Sequence, residues 1–490
     1  MTLGQLAAGR ATVHGADVGV TGLTANSAWV RPGDLFVALP GARVHGAMYA
    51  PDAVARGAVA VLTDRAGGEQ LTTDVPALVV PDVRGELGPV SARVYGDPSA
   101  HMSVLGVTGT SGKTTTTFLM RAGLRAAGRV PGLIGTVAVM IGDEQIKTGF
   151  TTPEAPELQA LLAVMRERGV TDVAMEVSSH ALEMRRVDGT RFDVGAFTNL
   201  SEDHLDFHPD MAAYFAAKLR LLAVLAHRAV VVVDDEWGER AARSVEPAAT
   251  VSTCGARADW QAFAIAELSS GASRFRVRGL QRRDFTMGCA IPGRYNVANA
   301  VLAVAILSEI GVPVDVAASA ISTATVPGRM ERIDAGQPFL AIVDYSHKPA
   351  AVDGALRALR PLTRGRVIIV LGCGGDRDRG KRPHMGEIAA RGADLLVVTD
   401  DNPRSEDPAA IRQAMLDGAL RVPAGQRGEV VEVGDRGEAI TAAVAAASDG
   451  DTVLIAGKGH ETGQEIAGTI YPFDDRVQLR AAIESVGAAK

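Results

Sequence analysis

The stretch MSVLGVTGTSGKTTTTFLMRAGLRAA, residues 102–127, decides the fold class. Met102 to Val107 is a short apolar run that reads as a buried strand, and Lys113 to Ala127 has helical character. Between them, Gly109-Thr110-Ser111-Gly112 lets backbone N–H groups converge on phosphate oxygens, and the positive end of the following helix adds to the attraction. Lys113 supplies a cation and Thr114 a hydroxyl suited to Mg²⁺, with Thr115 completing the loop. Strand, glycine loop, Lys-Thr and helix in that order predict a nucleoside-triphosphate site on a parallel sheet. The spacing departs from GxxxxGK[ST], because Val107 stands where that pattern has its first glycine.

Outward from this loop the same alternation continues. Apolar runs at Val173–Val177 and Val230–Val233, with helical stretches between, predict further parallel strands covered by helices on both faces. A third series begins near Glu331, with strands expected at 340–344, 367–371, 395–399 and 453–456, each entering a polar loop. Sites at the carboxyl ends of parallel strands are the usual arrangement in such folds. Upstream, short apolar runs at Asp34–Leu39 and Ala58–Leu62 between Gly, Pro and Asp turns predict a small α/β unit closed by Tyr95-Gly-Asp-Pro98. The expected architecture is α/β in three domains. They are a small α/β domain over residues 1–99, a central parallel-sheet ATP-binding domain over 100–330, and a Rossmann-like domain over 331–490.

Length and composition agree with that division. At 490 residues the chain exceeds the roughly 250–300 residues that one hydrophobic core serves. Fifty basic against 57 acidic residues, net −7, give no general attraction for nucleic acid or an anionic membrane. Cys254, Cys289 and Cys373 are scattered and odd in number, so neither a disulfide framework nor a cysteine zinc site is expected and a reducing compartment fits. The longest apolar region, Leu219–Val233, is broken by His227 and Arg228, so no membrane insertion is expected and the location is taken as cytoplasmic.

Polar residues cluster at several expected strand ends. Glu176 closes one strand, followed by Ser178, Ser179 and His180, and a carboxylate there suits a magnesium ligand. Asn199-Leu-Ser-Glu-Asp-His-Leu-Asp-Phe-His208 offers two histidines among three acids, with Lys218 on the helix that follows. Further on come Gly372-Cys-Gly-Gly-Asp-Arg-Asp-Arg-Gly-Lys-Arg-Pro383, Asp401-Asn402-Pro403-Arg404 and Gly457-Lys-Gly-His-Glu461. These loops mix cationic and anionic side chains, and arginine can grip a carboxylate in a bidentate way.

GTSGKTT from Gly109, EVSSH from Glu176, NLSEDHLDFH from Asn199 and the Lys218 helix occur in the order seen in the Mur ligases, and the resemblance covers the whole chain. It implies an ATP-dependent ligase of peptidoglycan precursor synthesis that adds 2,6-diaminopimelate to the D-Glu γ-carboxylate of UDP-MurNAc-L-Ala-D-Glu through an acyl phosphate. It implies two Mg²⁺ held by Thr114, Glu176, His204 and a carbamylated Lys218, with Lys113, Glu176, His204 and Lys218 as the catalytic set. Gly109 to Thr115, Asn296, Asn299, Arg329 in VPGRMER and Asp344 in VDYSHKP would bind ATP. Ser27, Ala42, Arg43, Val44, Thr151, Thr152, Ser178 and Arg186 would bind the UDP-linked substrate, the first four from a uridine-binding N-terminal domain. Arg377, Asp401, Asn402, Pro403, Arg404, Gly457 and Glu461 would bind diaminopimelate, with Arg404 as the residue that selects it. A monomer is expected. Asn26-Ser27-Ala28 replaces the family's more common Asp-Ser-Arg, and Met184 stands where some relatives carry glutamine. A folate-polyglutamylating ligase would share the central domain but have neither the uridine-binding domain nor the DNPR tetrad. A nucleotide-driven switch would leave the Arg377, Arg404 and Glu461 cluster unexplained.

Overall fold

The structure, a computed structural model, describes residues 1–41, 43–146, 152–268, 270–280 and 283–488. The chain divides into two compact units: Met1–Gln261 with Gly279–Gln281 and Val301–Ala320, and Ala262–Arg278 with Arg282–Ala300 and Ile321–Lys490.

The first unit contains two sheets. The smaller has strand order Thr12–His14, Ala77–Val79, Ala60–Thr63, Asp34–Val37, Gly22–Thr24, parallel except at its antiparallel edge Thr12–His14. Successive side chains of a strand face opposite ways, and this sheet uses both faces. Leu35, Val37 and Leu62 enter one buried cluster, Phe36 and Val61 another. Helix Val83–Val94 crosses toward the larger sheet, with Gly88 set against Asp188 so closely that a Cβ would meet its carbonyl.

In the larger sheet the parallel strands run Ala248–Ser252, Ala226–Val232, Phe192–Phe197, Ser103–Thr108, Asp172–Glu176, Pro131–Ile134, followed by the antiparallel Val139–Ile141 and Glu144–Ile146. The chain leaves Ser103–Thr108 through helix Lys113–Ala126 and skips one place to Pro131–Ile134. Strand order therefore reverses on either side of Ser103–Thr108, and ligands of open parallel sheets bind at such reversals. The strand expected at Val230–Val233 begins earlier, at Ala226. Its first turn of sequence is polar because His227 and Arg228 lie at the exposed end of a strand buried only from Ala229 onward. No helix among the described residues is long and apolar enough to cross a membrane.

The second unit is built on a six-stranded sheet, Glu331–Arg332, Leu340–Asp344, Thr452–Ala456, Val367–Leu371, Leu395–Val398, Glu429–Glu432, parallel except for the first strand. Its central strands are apolar runs such as Val-Ile-Ile-Val-Leu with every residue buried, as a sheet covered on both faces requires. The order matters for function. Loops after Ala456, Leu371 and Val398 leave three adjacent parallel strands at the same edge, so Gly457–Glu461, Gly372–Arg377 and Thr399–Arg404 become neighbours. A hairpin, Gly463–Ile466 with Thr469–Pro472, follows the first of these loops.

Candidate active site

In the first unit the glycine loop is held open from below. Gly109 adopts φ 144° and Gly112 φ 89°, values that favour glycine, and a Cβ on Gly109 would collide with Thr198 Oγ1. Thr198 Oγ1 donates to Ser111 O at 2.6 Å, Asn199 Nδ2 donates to the same carbonyl at 3.2 Å, and Asn199 Oδ1 accepts from Ser111 N at 3.0 Å. Lys113 Nζ donates to Gly109 O and Thr110 O at 2.8 and 3.1 Å, which folds its ammonium over the loop. Thr114 and Thr115 are buried in the first helical turn.

Lys218 reaches the same carbonyl from the other side. It is 1% exposed, its Nζ donates to Gly109 O at 2.8 Å and lies 4.4 Å from the centre of the Tyr214 ring. Tyr214, also buried, shares a 3.2 Å hydrogen bond between its hydroxyl and Thr110 Oγ1, and burial raises the pKa of that phenol. Sequence reasoning passed over Tyr214 and Thr198, since nothing local marks a tyrosine or threonine as the underside of a phosphate loop.

Glu176, 1% exposed, is held by Thr136, whose N–H and hydroxyl donate to its two carboxylate oxygens at 2.9 and 3.2 Å. Thr152 Oγ1 donates to the Glu176 carbonyl at 3.0 Å and accepts from Ser178 N at 3.4 Å. Ser178 Oγ caps the next helix by accepting from Ala181 N. Arg186 donates to Thr152 O and Met184 Sδ and pairs with Glu154 at 2.8 Å. Thr152, Ser178, Arg186 and Glu176 thus form one corner, and Met184 fills its place by packing sulfur on Arg186. Ala42 and Thr151 lie outside the described residues.

His204, with φ 52°, faces Asp203 at 3.4 Å and meets His180 edge to face at 4.8 Å. His180 stacks on Phe207 at 4.1 Å and His208 tilts against Tyr214 at 5.0 Å. Burial lowers the pKa of both His180 and His208, and their mutual proximity lowers that of His180 further. Among the described residues no three His, Cys, Asp or Glu side chains form a group that could hold a metal. The Lys218 ammonium is a hydrogen-bond donor and a cation, so in that form it is no metal ligand.

A cavity of about 470 Å³ opens in the small sheet, lined by Asn26, Ser27, Phe36, Leu39, Val44 and Tyr49 among others. Asn26 Oδ1 accepts from Ala28 N and shapes the turn that carries Ser27. Next to Val44 in the chain, His45 accepts from Ala47 N through Nδ1, and its Nε2 lies 3.1 Å from Asp64. Ser27 and Val44 thus line one cavity, while Arg43 is exposed.

In the second unit Asn299 Nδ2 donates to Asn296 Oδ1 at 3.0 Å, and Asn296 Nδ2 to Pro292 O at 2.7 Å. Asp344 accepts from Met330 N at 2.7 Å and from Ser346 N at 2.9 Å, while the Arg329 guanidinium stacks 4.4 Å from the Tyr345 ring. Beside them burial pushes the His347 imidazole down to about 4, its Nδ1 lying 2.8 Å from Tyr345 O. An unfolded histidine titrates near 6.5. Between pH ~6.5 and ~4 the unfolded chain therefore binds a proton the folded chain refuses, and stability falls as pH falls through that window. His347→Gln should flatten this part of the profile of thermal midpoint against pH, and an unchanged slope would assign it to other groups.

The loops after Val398 and Ala456 in this unit are joined by hydrogen bonds. Asn402 Nδ2 donates to Glu461 Oε2 at 2.9 Å, and the fully buried Lys458 Nζ donates to Asn402 Oδ1 at 3.0 Å and to Glu461 Oε2 at 3.3 Å. Gly457, φ 117°, is kept bare because a Cβ would stand 2.6 Å from Asp401 Oδ2. Arg404, φ 54°, donates from one terminal nitrogen to Gly375 O at 2.7 Å. Pro403 is buried against Gly375. Beneath, Arg436 and Asp475 form a fully buried pair at 2.7 Å, and Arg436 also donates to Ala456 O. Arg377 is exposed and stands outside this network. Lys458 was within reach of sequence reasoning, being the cation beside Glu461. Arg436 was not, because its partner is 39 residues away.

Residues 19–95 match the Mur ligase family, catalytic domain, residues 107–307 the Mur ligase middle domain, and residues 328–459 the Mur ligase, glutamate ligase domain. The chain is 53% identical over 473 residues to a UDP-N-acetylmuramoyl-L-alanyl-D-glutamate--2,6-diaminopimelate ligase of Streptomyces avermitilis, covering 96% of this chain and 93% of that one. It is 51% identical to the Corynebacterium glutamicum protein of the same name, covering 92% and 89%. A solved structure of a ligase so named superposes with a TM-score of 0.72 at 31% identity, covering 96% of this chain and 95% of that one.

Proposed function

This chain belongs to the Mur ligase family, and from that premise we propose that it joins 2,6-diaminopimelate, at the expense of ATP, to the D-Glu γ-carboxylate of UDP-MurNAc-L-Ala-D-Glu. The observation that carries the choice of amino acid is the meeting of the loops after Val398 and Ala456, where Asn402 is bonded to Glu461 at 2.9 Å and the hairpin after Glu461 holds Arg404 through Glu465. Cationic and anionic side chains side by side suit an amino acid whose far end bears both a carboxylate and an ammonium. The relatives at 53% and 51% identity carry this activity in their names.

In this reading the γ-carboxylate attacks the γ-phosphate of ATP, an acyl phosphate and ADP form, and the diaminopimelate amine displaces phosphate to leave an amide. Lys113 and the N–H groups of residues 109–112 stabilise charge gathering on the transferred phosphoryl oxygens. Mg²⁺, two ions in this reading, would screen those oxygens and be held by Thr114, Glu176, His204 and a carbamylated Lys218. Carbamylation of Lys218, in which its neutral amine adds CO₂ and releases a proton, would add a second anionic oxygen donor to the Glu176 carboxylate. Until then its ammonium is satisfied by Gly109 O. Thr152, Ser178 and Arg186 bind the muramyl dipeptide end, and the cavity of Ser27 and Val44 takes the uridine. Asn296, Asn299, Arg329 and Asp344 complete the ATP contacts. Arg377 and Arg404 hold the distal carboxylate, Glu461 and the Gly457 carbonyl the distal ammonium, in a pocket shaped by Asp401 and Pro403. Residues 1–99, 100–330 and 331–490 act as the uridine, ATP and amino-acid domains of a cytoplasmic monomer.

ADP formation with UDP-MurNAc-L-Ala-D-Glu present should require diaminopimelate and be poorly supported by lysine. Equal turnover with lysine, or turnover with no amino acid, would overturn the assignment.

A further inference from the structure

Arg404 is clamped by the hairpin that follows Glu461. Its Nε lies 3.2 Å from Glu465 Oε2, its backbone N donates to Glu465 O at 3.0 Å, and its carbonyl accepts from Ala467 N at 2.7 Å. The same short strand holds the rest of the tetrad. Glu465 N donates to Asn402 Oδ1 at 3.0 Å, and Gln464 Nε2 donates to Asp401 O at 2.9 Å. Arg404 and Glu465 retain 24% and 38% of their side-chain exposure, so the pair borders open space.

A guanidinium offers five N–H donors in a fixed plane, and which edge faces a ligand depends on which donors are already used. Glu465 takes Nε and Gly375 O takes a donor of one terminal nitrogen. Two anchors on different nitrogens stop the plane from turning and leave both donors of one terminal nitrogen and one donor of the other to meet a carboxylate. Arg404 also adopts a left-handed backbone, which the parallel bridge to Ile466 helps to hold.

We propose that Glu465 is a positioning residue that fixes the orientation of the Arg404 guanidinium and thereby sets the preference for an amino acid with a distal carboxylate over one without. The inference rests on the reading of Arg404 as the residue that meets that carboxylate. Glu465 itself does not touch the amino acid. Its carboxylate does for Arg404 what a scaffold does, and only an acceptor at that position is required.

The test is the kcat/KM ratio for diaminopimelate over lysine in the full chain, with the KM for ATP and the thermal midpoint measured alongside. Glu465→Ala should lower the ratio about tenfold by raising the KM for diaminopimelate, leaving the KM for ATP within twofold. Glu465→Gln, which keeps an acceptor for Nε, should recover most of that loss. In an Arg404→Ala background, Glu465→Ala should change the ratio by less than twofold. A ratio unchanged in Glu465→Ala, an equal loss on the Arg404→Ala background, or a parallel rise in the KM for ATP would each overturn the proposal. Failure of the wild-type protein to use diaminopimelate would instead overturn the functional reading, and the Glu465 proposal with it.

Discussion

Lys113→Met should fold normally and lose ADP formation by at least about 10²- to 10³-fold, the usual cost of removing one preorganised charge-stabilising donor. In the structure its ammonium rests on Gly109 O and Thr110 O, so the cation is in position before a nucleotide arrives. A methionine of similar length keeps the apolar stem and removes only the charge and its donors. The loop conformation is secured independently by Thr198 and Asn199, which hold Ser111 from the neighbouring strand end. The thermal midpoint should therefore change little. A variant that retains half the wild-type rate, or one that loses activity because it no longer folds, would contradict this account of Lys113.

Arg404→Ala should raise the KM for diaminopimelate by about 10²-fold while leaving the KM for ATP close to that of the wild type. That factor corresponds to ~2.7 kcal/mol, within the range of hydrogen bonds to charged groups. The asymmetry between the two substrates is the informative part. Arg404 lies in a loop after Val398, and its side chain bonds to Gly375 O and Glu465 at the same sheet edge. An equal loss for both substrates would mean that the tetrad merely shapes the loop. Arg404→Lys should recover little, because an ammonium has no planar fork to offer a carboxylate.

Much of this was legible in the chain itself. Strands at Ser103–Thr108, Leu340–Asp344, Val367–Leu371 and Thr452–Ala456 lie within a residue or so of the apolar runs that announced them. A run of β-branched residues buried on both faces needs no distant partner to be recognised. The glycine loop was equally plain, since the positive φ of Gly109 and Gly112 is a local demand. The strand at Ala226–Val232 was cut short because its exposed first residues are polar. Thr136, which fixes Glu176 from 40 residues away, carries no signal that distinguishes it from any other threonine.

The residue types of the phosphate loop, the strand-end motifs and their order were therefore determined by the sequence alone, because turn geometry and hydrophobic period are properties of a few consecutive residues. Which side chain holds which was decided by the tertiary structure. Lys218 meets Gly109 across 109 residues and Asn402 meets Glu461 across 59, and both pairings exist only because sheet order brings particular strand ends together. Glu465 illustrates the difference: as a letter it is one acid in a polar loop, and only the register of the Gly463–Ile466 strand against Arg404 puts its carboxylate on the guanidinium.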